Sequence, residues 1–141
     1  MDFYPDFLRI MGSSSEIALS TAVGNLPNVR IISILWDKTE HGLIYFTTFR
    51  GSLKQPELQF NSHVAFTTLP INGFETVRVN KGFAKISGKK IAEIMDALCA
   101  RHPGFDRLFA KTGGFMDLYE LRFKEADISL DSERHGKVFL T

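Results

Sequence analysis

Cysteine is nearly absent. The chain has one, Cys99, so no internal disulfide can form and nothing calls for an oxidising compartment. Cys99 sits in the amphipathic run from Ile91 to Ala100 and reads as a small core residue. An excess of one charge is missing too. The formal net charge is +1, which removes the electrostatic case for nucleic acid as a partner. No segment approaches the ~18–20 consecutive apolar residues that span a bilayer. The opening Met1-Asp2-Phe3-Tyr4-Pro5-Asp6 lacks the basic start and apolar run of a secretory signal. The expectation is a cytoplasmic protein that binds neither nucleic acid nor membrane.

The familiar catalytic motifs are missing as well. No Gly-x-Gly-x-x-Gly follows a strand-like run, which argues against a Rossmann dinucleotide site. No Gly-x-Ser-x-Gly elbow and no ordered nucleophile–base pair occurs. The four histidines, His41, His63, His102 and His135, share no metal-ligand spacing with one another or with Cys99. Each reads as a surface residue. No catalytic side chain and no metal ligand is nominated.

What is present is a chain of 141 residues, 44% hydrophobic and 23% charged. That length defaults to one domain with a real core. Thirteen phenylalanines lie mostly in strand-like runs and suit a barrel interior or a subunit interface. A short helix is expected over 2–11, then strands over 16–23, 29–36 and 43–48, the last two paired across a polar hairpin at 37–42. Ser52 is placed to cap a short helix. Strands follow at 63–68 and 76–87, with Gly82 as a bulge or bend. A helix over 89–101 and a second helical piece over 105–111 precede a long strand over 116–130, interrupted at Lys124-Glu125-Ala126-Asp127. Residues 138–140 add a last edge strand. Short strands joined by hairpins predict a mainly β fold, an antiparallel barrel with peripheral helices.

The richest stretch runs from Pro27 to Lys54. It brings Arg30, Thr47, Thr48, Ser52 and Lys54 within reach of one point, two cations and three hydroxyls beside a helix start. Such a point suits a phosphate, and Arg30 can add a bidentate contact. The tyrosine and aliphatic residues nearby suit a flat ring, which together suggest a flavin mononucleotide (FMN) cradle. The alternative is that Arg30 and Lys54 are solvated surface charges and the threonines ordinary strand residues.

Here the chain resembles the pyridoxamine 5′-phosphate oxidase-like proteins of the FMN-binding split-barrel fold, particularly the short general-stress and nitroimidazole-reductase-like members. The matching pieces are Pro27-Asn28-Val29-Arg30, Ile44-Tyr45-Phe46-Thr47-Thr48 and Ser52-Leu53-Lys54. Gln59 to Phe66 and Glu75 to Ala84 follow in the family's order. The likeness covers about residues 16–87 well and the rest loosely. It implies a single split-barrel domain over 1–141, and a homodimer with FMN at the subunit interface. Arg30 and Lys54 would hold the phosphate with Ser52 and Thr48. Ile31, Ile32 and Ser33 would line the isoalloxazine, with Tyr45, Phe46 and Thr47 nearby. The partner subunit would contribute Thr67 and the strand around Val77, where the oxidase proper has a glutamine.

The implied activity is electron transfer from a nicotinamide donor, NAD(P)H, through FMN to a small acceptor, because the flavin carries the redox chemistry and the protein orients it. The true oxidases carry a C-terminal extension with arginine and histidine residues that hold pyridoxal phosphate. This chain ends at Thr141, and Arg134-His135 reads as a polar turn, so vitamin B6 oxidation is not expected. Two further readings stay open: a non-catalytic flavin carrier or sensor, or haem-handling relative, and a deazaflavin-dependent reductase.

Overall fold

The computed structural model describes residues 1–52 and 54–140, with the Lys54 side chain outside that description. Among them, nine strands form one antiparallel sheet. They are β1 (Glu16–Val23), β2 (Leu26–Ser33), β3 (Leu35–Trp36), β4 (Leu43–Phe49), β5 (His63–Thr68), β6 (Thr76–Ile86), β7 (Met116–Phe123), β8 (Glu125–Ser129) and β9 (His135–Phe139). The order is β2-β1-β5-β6-β7-β4-β3, and β8 links β6 to β9. The sheet curls into an open half-barrel with helices at its periphery. These are α1 (Tyr4–Ser13), α2 (Lys54–Phe60), α3 (Met95–Arg101) and α4 (Phe105–Thr112). The expected β-barrel with peripheral helices is therefore present.

Alternation builds the barrel wall. On β1, Ile17, Leu19 and Thr21 point inward, while Ala18, Ser20 and Ala22 are half-buried on the outer side, the period-2 pattern of a strand with one core face. The helical period of α1 brings Phe7, Ile10 and Met11 to one fully buried face. Phe7 meets Trp36 and Phe123 edge-on, at centroid distances of 6.1 and 6.3 Å. Burying each such side chain is worth about 1.5–3 kcal/mol, which fixes α1 against the barrel.

β4 does not alternate: Leu43, Ile44, Tyr45 and Phe46 are all buried. The cause is a cover on both faces. Ile44 and Phe46 belong to the barrel interior, whereas Leu43 and Tyr45 join Leu98, Phe105 and Met116 in a second cluster outside it. The insert between β6 and β7, a 3₁₀ turn (Ile91–Ile94) followed by α3 and α4, supplies that second cover.

The structure corrects three sequence expectations. Residues 29–36 are not one strand paired with 43–48. β2 pairs with β1 along its whole length, and only Leu35 and Trp36 pair with Tyr45 and Ile44. The break falls at Ile34, whose N–H donates to the Ser15 carbonyl at 2.9 Å, one step beyond the last β1–β2 pair, Glu16–Ser33. The helix expected over 89–101 is α-helical only from Met95. The strand expected over 116–130 divides into β7 and β8 at Lys124, whose carbonyl accepts from the Leu140 N–H.

Two glycines are demanded by close approach. At Gly82 a Cβ would lie 3.1 Å from the Val64 carbonyl oxygen, beside the register shift where β6 gains a residue against β5. At Gly42 a Cβ would lie 2.3 Å from the Phe123 carbonyl oxygen, a backbone atom that cannot rotate away. Gly42→Ala should therefore destabilise the protein by about 1–3 kcal/mol. A thermal melt unchanged from wild type would contradict that reading of the loop.

Candidate functional site

β2 ends the strand order, so among the described residues its outer edge pairs with no strand. In an antiparallel pair, alternate residues aim their N–H and C=O groups away from the partner. Ile31 and Ser33 alternate with Ile32 in this way, and all three residues line a cleft of about 470 Å³. Tyr45, Phe46, Thr47 and Thr48 of β4 form the facing wall, with Ser52 at one end. Leu98, His102, Phe105 and Leu108 of the α3–α4 insert make a third, mostly apolar wall.

The Ser52 end is polar. The Thr48 and Ser52 hydroxyl oxygens are 3.0 Å apart, and the Ser52 N–H donates to the Phe49 carbonyl at 3.1 Å. Gly51 makes this turn with φ +82°, a left-handed conformation that suits glycine. The Gly51 N–H donates to Gln55 Oε1 at 3.2 Å, and the Gln55 amide donates in turn to Asp117. This packed support holds two hydroxyls at the mouth of the cleft. Ser52 as a helix cap involves Leu53 and lies outside the described residues, as does the phosphate role of the Lys54 side chain.

Arg30 behaves differently from the expectation. It shares the inward side of β2 with Ile32 and does not line the cleft among the described residues. Its guanidinium donates to the Thr21 hydroxyl at 2.7 Å and to Glu57 Oε2 at 3.1 Å. Thr21 and Asn28 also donate to Glu57. The Thr21 hydroxyl above all, then Asn28 and Arg30, hold the Glu57 carboxyl below the usual glutamate range. Arg30 thus ties α2 to β1 and β2.

The residues expected from a partner subunit lie on two faces. Ile31, Ala18, Thr67 and Arg78 follow one another across β2, β1, β5 and β6. All four are exposed or half-buried on the outer face. Val77 points the other way and is 0% exposed, with its N–H donating to the Thr68 hydroxyl at 2.9 Å. Its side chain belongs to the core of this chain, and Thr76 and Arg78 are its outward neighbours on the strand.

The helical pieces expected over 89–101 and 105–111 carry a cleft wall that no local pattern marks. His102, a surface residue by its sequence context, lines the cleft, and its Nε2 lies 2.7 Å from the Ile34 carbonyl oxygen. A carbonyl only accepts, so Nε2 carries the proton and Nδ1 is the free nitrogen. No local pattern marks His102, because its partner is 68 residues away. Tyr45 also lines a second cavity of about 580 Å³, which includes Lys38, Lys89 and Arg101. Lys89 Nζ sits 5.7 Å from the Tyr45 ring centroid. Its hydrogen bond to Tyr45, aided by the nearby Asp37 and Glu93 carboxylates, raises the Lys89 ammonium above its ordinary range.

The pyridoxamine 5′-phosphate oxidase-like family matches residues 10–134. The chain belongs to that family. No curated protein matches it significantly in sequence. Among solved structures, it is 13% identical to a Clostridium acetobutylicum protein related to general stress protein 26 of Bacillus subtilis. That match covers 99% of this chain and 96% of the other, with TM-score 0.74. A NimC/NimA family protein of the same bacterium is 17% identical, with 96% and 91% covered and TM-score 0.71. HutZ, the haem storage protein of Vibrio cholerae, is 10% identical, with 99% and 96% covered and TM-score 0.70. At these identities the likeness is one of fold. The family's split barrel accounts for the curled sheet, the cleft beside β2 and the outer face of β1, β2 and β5.

The Glu57 cluster gives a pH signature. A carboxyl held low in the folded state stabilises the protein above the ordinary glutamate range, and the contribution is lost as pH falls through its folded value. Glu57→Gln should therefore cost stability near neutral pH, with the gap to wild type closing as pH falls below the ordinary glutamate range. Denaturant melts across that range test this; a gap constant with pH would contradict it.

Proposed function

We propose that the cleft beside β2 binds FMN and that the protein is a flavin-dependent oxidoreductase. The observation that supports this best is the pairing of an open strand edge at Ile31–Ser33 with the Thr48–Ser52 hydroxyl pair in one cleft. The strand edge offers N–H donors and C=O acceptors to the polar rim of a flavin ring. The Thr48 hydroxyl donates to the Phe49 carbonyl at 3.1 Å and backs the Ser52 hydroxyl, which offers the hydrogen bond to a phosphate or ribityl chain. Apolar side chains from the insert, Leu98 and Phe105 among them, suit the ring's faces. FMN, when bound, supplies two-electron redox chemistry. The chain's own task is to hold the ring against β2, shield it with α3 and α4, and admit NAD(P)H and a small acceptor. The cavity that shares Tyr45 is a natural place for that acceptor. Cytoplasmic location is part of this proposal. Among the described residues no helix is long and apolar enough to cross a membrane.

A haem-handling role is the second reading. His102 in the cleft favours it, and HutZ shares the fold. It ranks second because the Ile34 carbonyl already occupies His102 Nε2, leaving only Nδ1 for iron. Absorbance of the purified protein separates the two: flavin bands support the first reading and a Soret band supports the second.

Flavin binding is tested by Thr48→Val combined with Ser52→Ala. The double variant should lose about tenfold or more in FMN affinity, measured by quenching of flavin fluorescence, while its far-UV circular dichroism stays unchanged. Unchanged affinity, or no FMN binding by the wild type, would overturn the site.

A homodimer belongs to the same proposal. Val29 and Ile31 share one face of β2 and are 64% and 53% exposed, an apolar strip next to the cleft that a second copy would cover. Val29→Asp should convert the dimer to a monomer and weaken flavin retention, as read by sedimentation equilibrium. A wild-type protein that sediments as a monomer would rule this out.

A further inference from the structure

A groove of about 1020 Å³ lies where the 39–42 loop meets the strands β6 and β7, and it shares no lining residue with the flavin cleft. The 39–42 loop is locked against β7, because the Phe123 N–H donates to the Gly42 carbonyl at 3.0 Å and no space is left for a Cβ at Gly42. The end of the chain closes another side through the Leu140 N–H, which donates to the Lys124 carbonyl at 2.8 Å. The walls are therefore set by backbone contacts.

The groove has three cations, Lys81, Arg122 and Lys124, against two carboxylates, Glu40 and Glu125. Both carboxylates are occupied. Glu40 pairs with Arg122, which also holds Glu120. Glu125 lies 3.5 Å from Lys81 and 3.4 Å from Lys137. Among the described residues Lys124 has no carboxylate at ion-pair distance, and it is exposed.

His41 adds a neutral donor. The Tyr4 hydroxyl lies 2.6 Å from His41 Nδ1. A phenol is the stronger acid of the two neutral groups, so it donates and leaves the imidazole proton on Nε2. Trp36 packs on the same ring at 5.6 Å and its indole N–H donates to the His41 carbonyl, which fixes the ring's position. Phe83 completes the set: its ring is 49% exposed and is packed edge-on against His63 at 4.5 Å.

We propose that this groove is a second binding site, for a small organic anion that carries an aromatic ring. The anionic group is taken by the Lys124 ammonium and the His41 Nε2–H, and the ring lies on Phe83. A cationic ligand is disfavoured because each carboxylate already has a cation. The site does not depend on the flavin reading.

Isothermal titration with 2-naphthoate at low salt tests it. Expected is saturable binding at one site per chain, weakened about tenfold by Lys124→Ala and by the neutral analogue 2-naphthamide. Lys124 is exposed, so circular dichroism of the variant should match wild type. No saturation up to about 10 mM, equal affinity for the amide, or an unchanged Lys124→Ala variant would each overturn the proposal.

Discussion

One residue, Ile34, joins three parts of the molecule through its backbone. Its N–H is taken by Ser15 at the start of β1, and its carbonyl accepts from the His102 ring at the end of α3. Because both groups are engaged, the strand after β2 leaves the ladder and turns to meet β4. That exit leaves the β2 edge open along Ile31–Ser33. The same carbonyl draws the insert over the opening. The cleft exists because the backbone of one residue is shared between a strand, a turn and a helix end.

The insert changes what β4 must be. A strand with one wet face alternates; a strand covered on both faces becomes a continuous apolar run. Leu43 to Phe46 is such a run, with the barrel on one side and Leu98, Phe105 and Met116 on the other. Tyr45 stands at this second interface, between the cleft beside β2 and the adjoining cavity that contains Lys89. The covering elements thus serve packing and site construction together.

Charge is distributed in a way that separates structure from binding. Arg9, Arg30, Arg50 and Arg134 each hold a carboxylate. The Arg30–Glu57 pair, though close to the proposed flavin site in sequence, ties α2 to the sheet. Lys124 instead faces an open groove without such a partner, which is the arrangement expected where a charge is kept for a ligand.

The sequence by itself determined the strands and their facing. Period-2 burial on β1, the bounds of β5 and the alternation of Arg30, Ile32 and Ile34 against Val29, Ile31 and Ser33 follow from side-chain chemistry over a few residues. The local run from Ile44 to Ser52 likewise indicated which residues would meet at the cleft. Only the tertiary structure decided how the strands pair. Residues 29–33 pair with β1 and not β4, and the Ile34 N–H to Ser15 carbonyl bond continues that ladder by one step. It also decided that Arg30 answers Glu57, that Val77 faces the core, and that His102 closes the cleft from 68 residues away. Pattern reports which face of an element is apolar; it does not report which distant backbone group will satisfy a free carbonyl, and here that choice places the site.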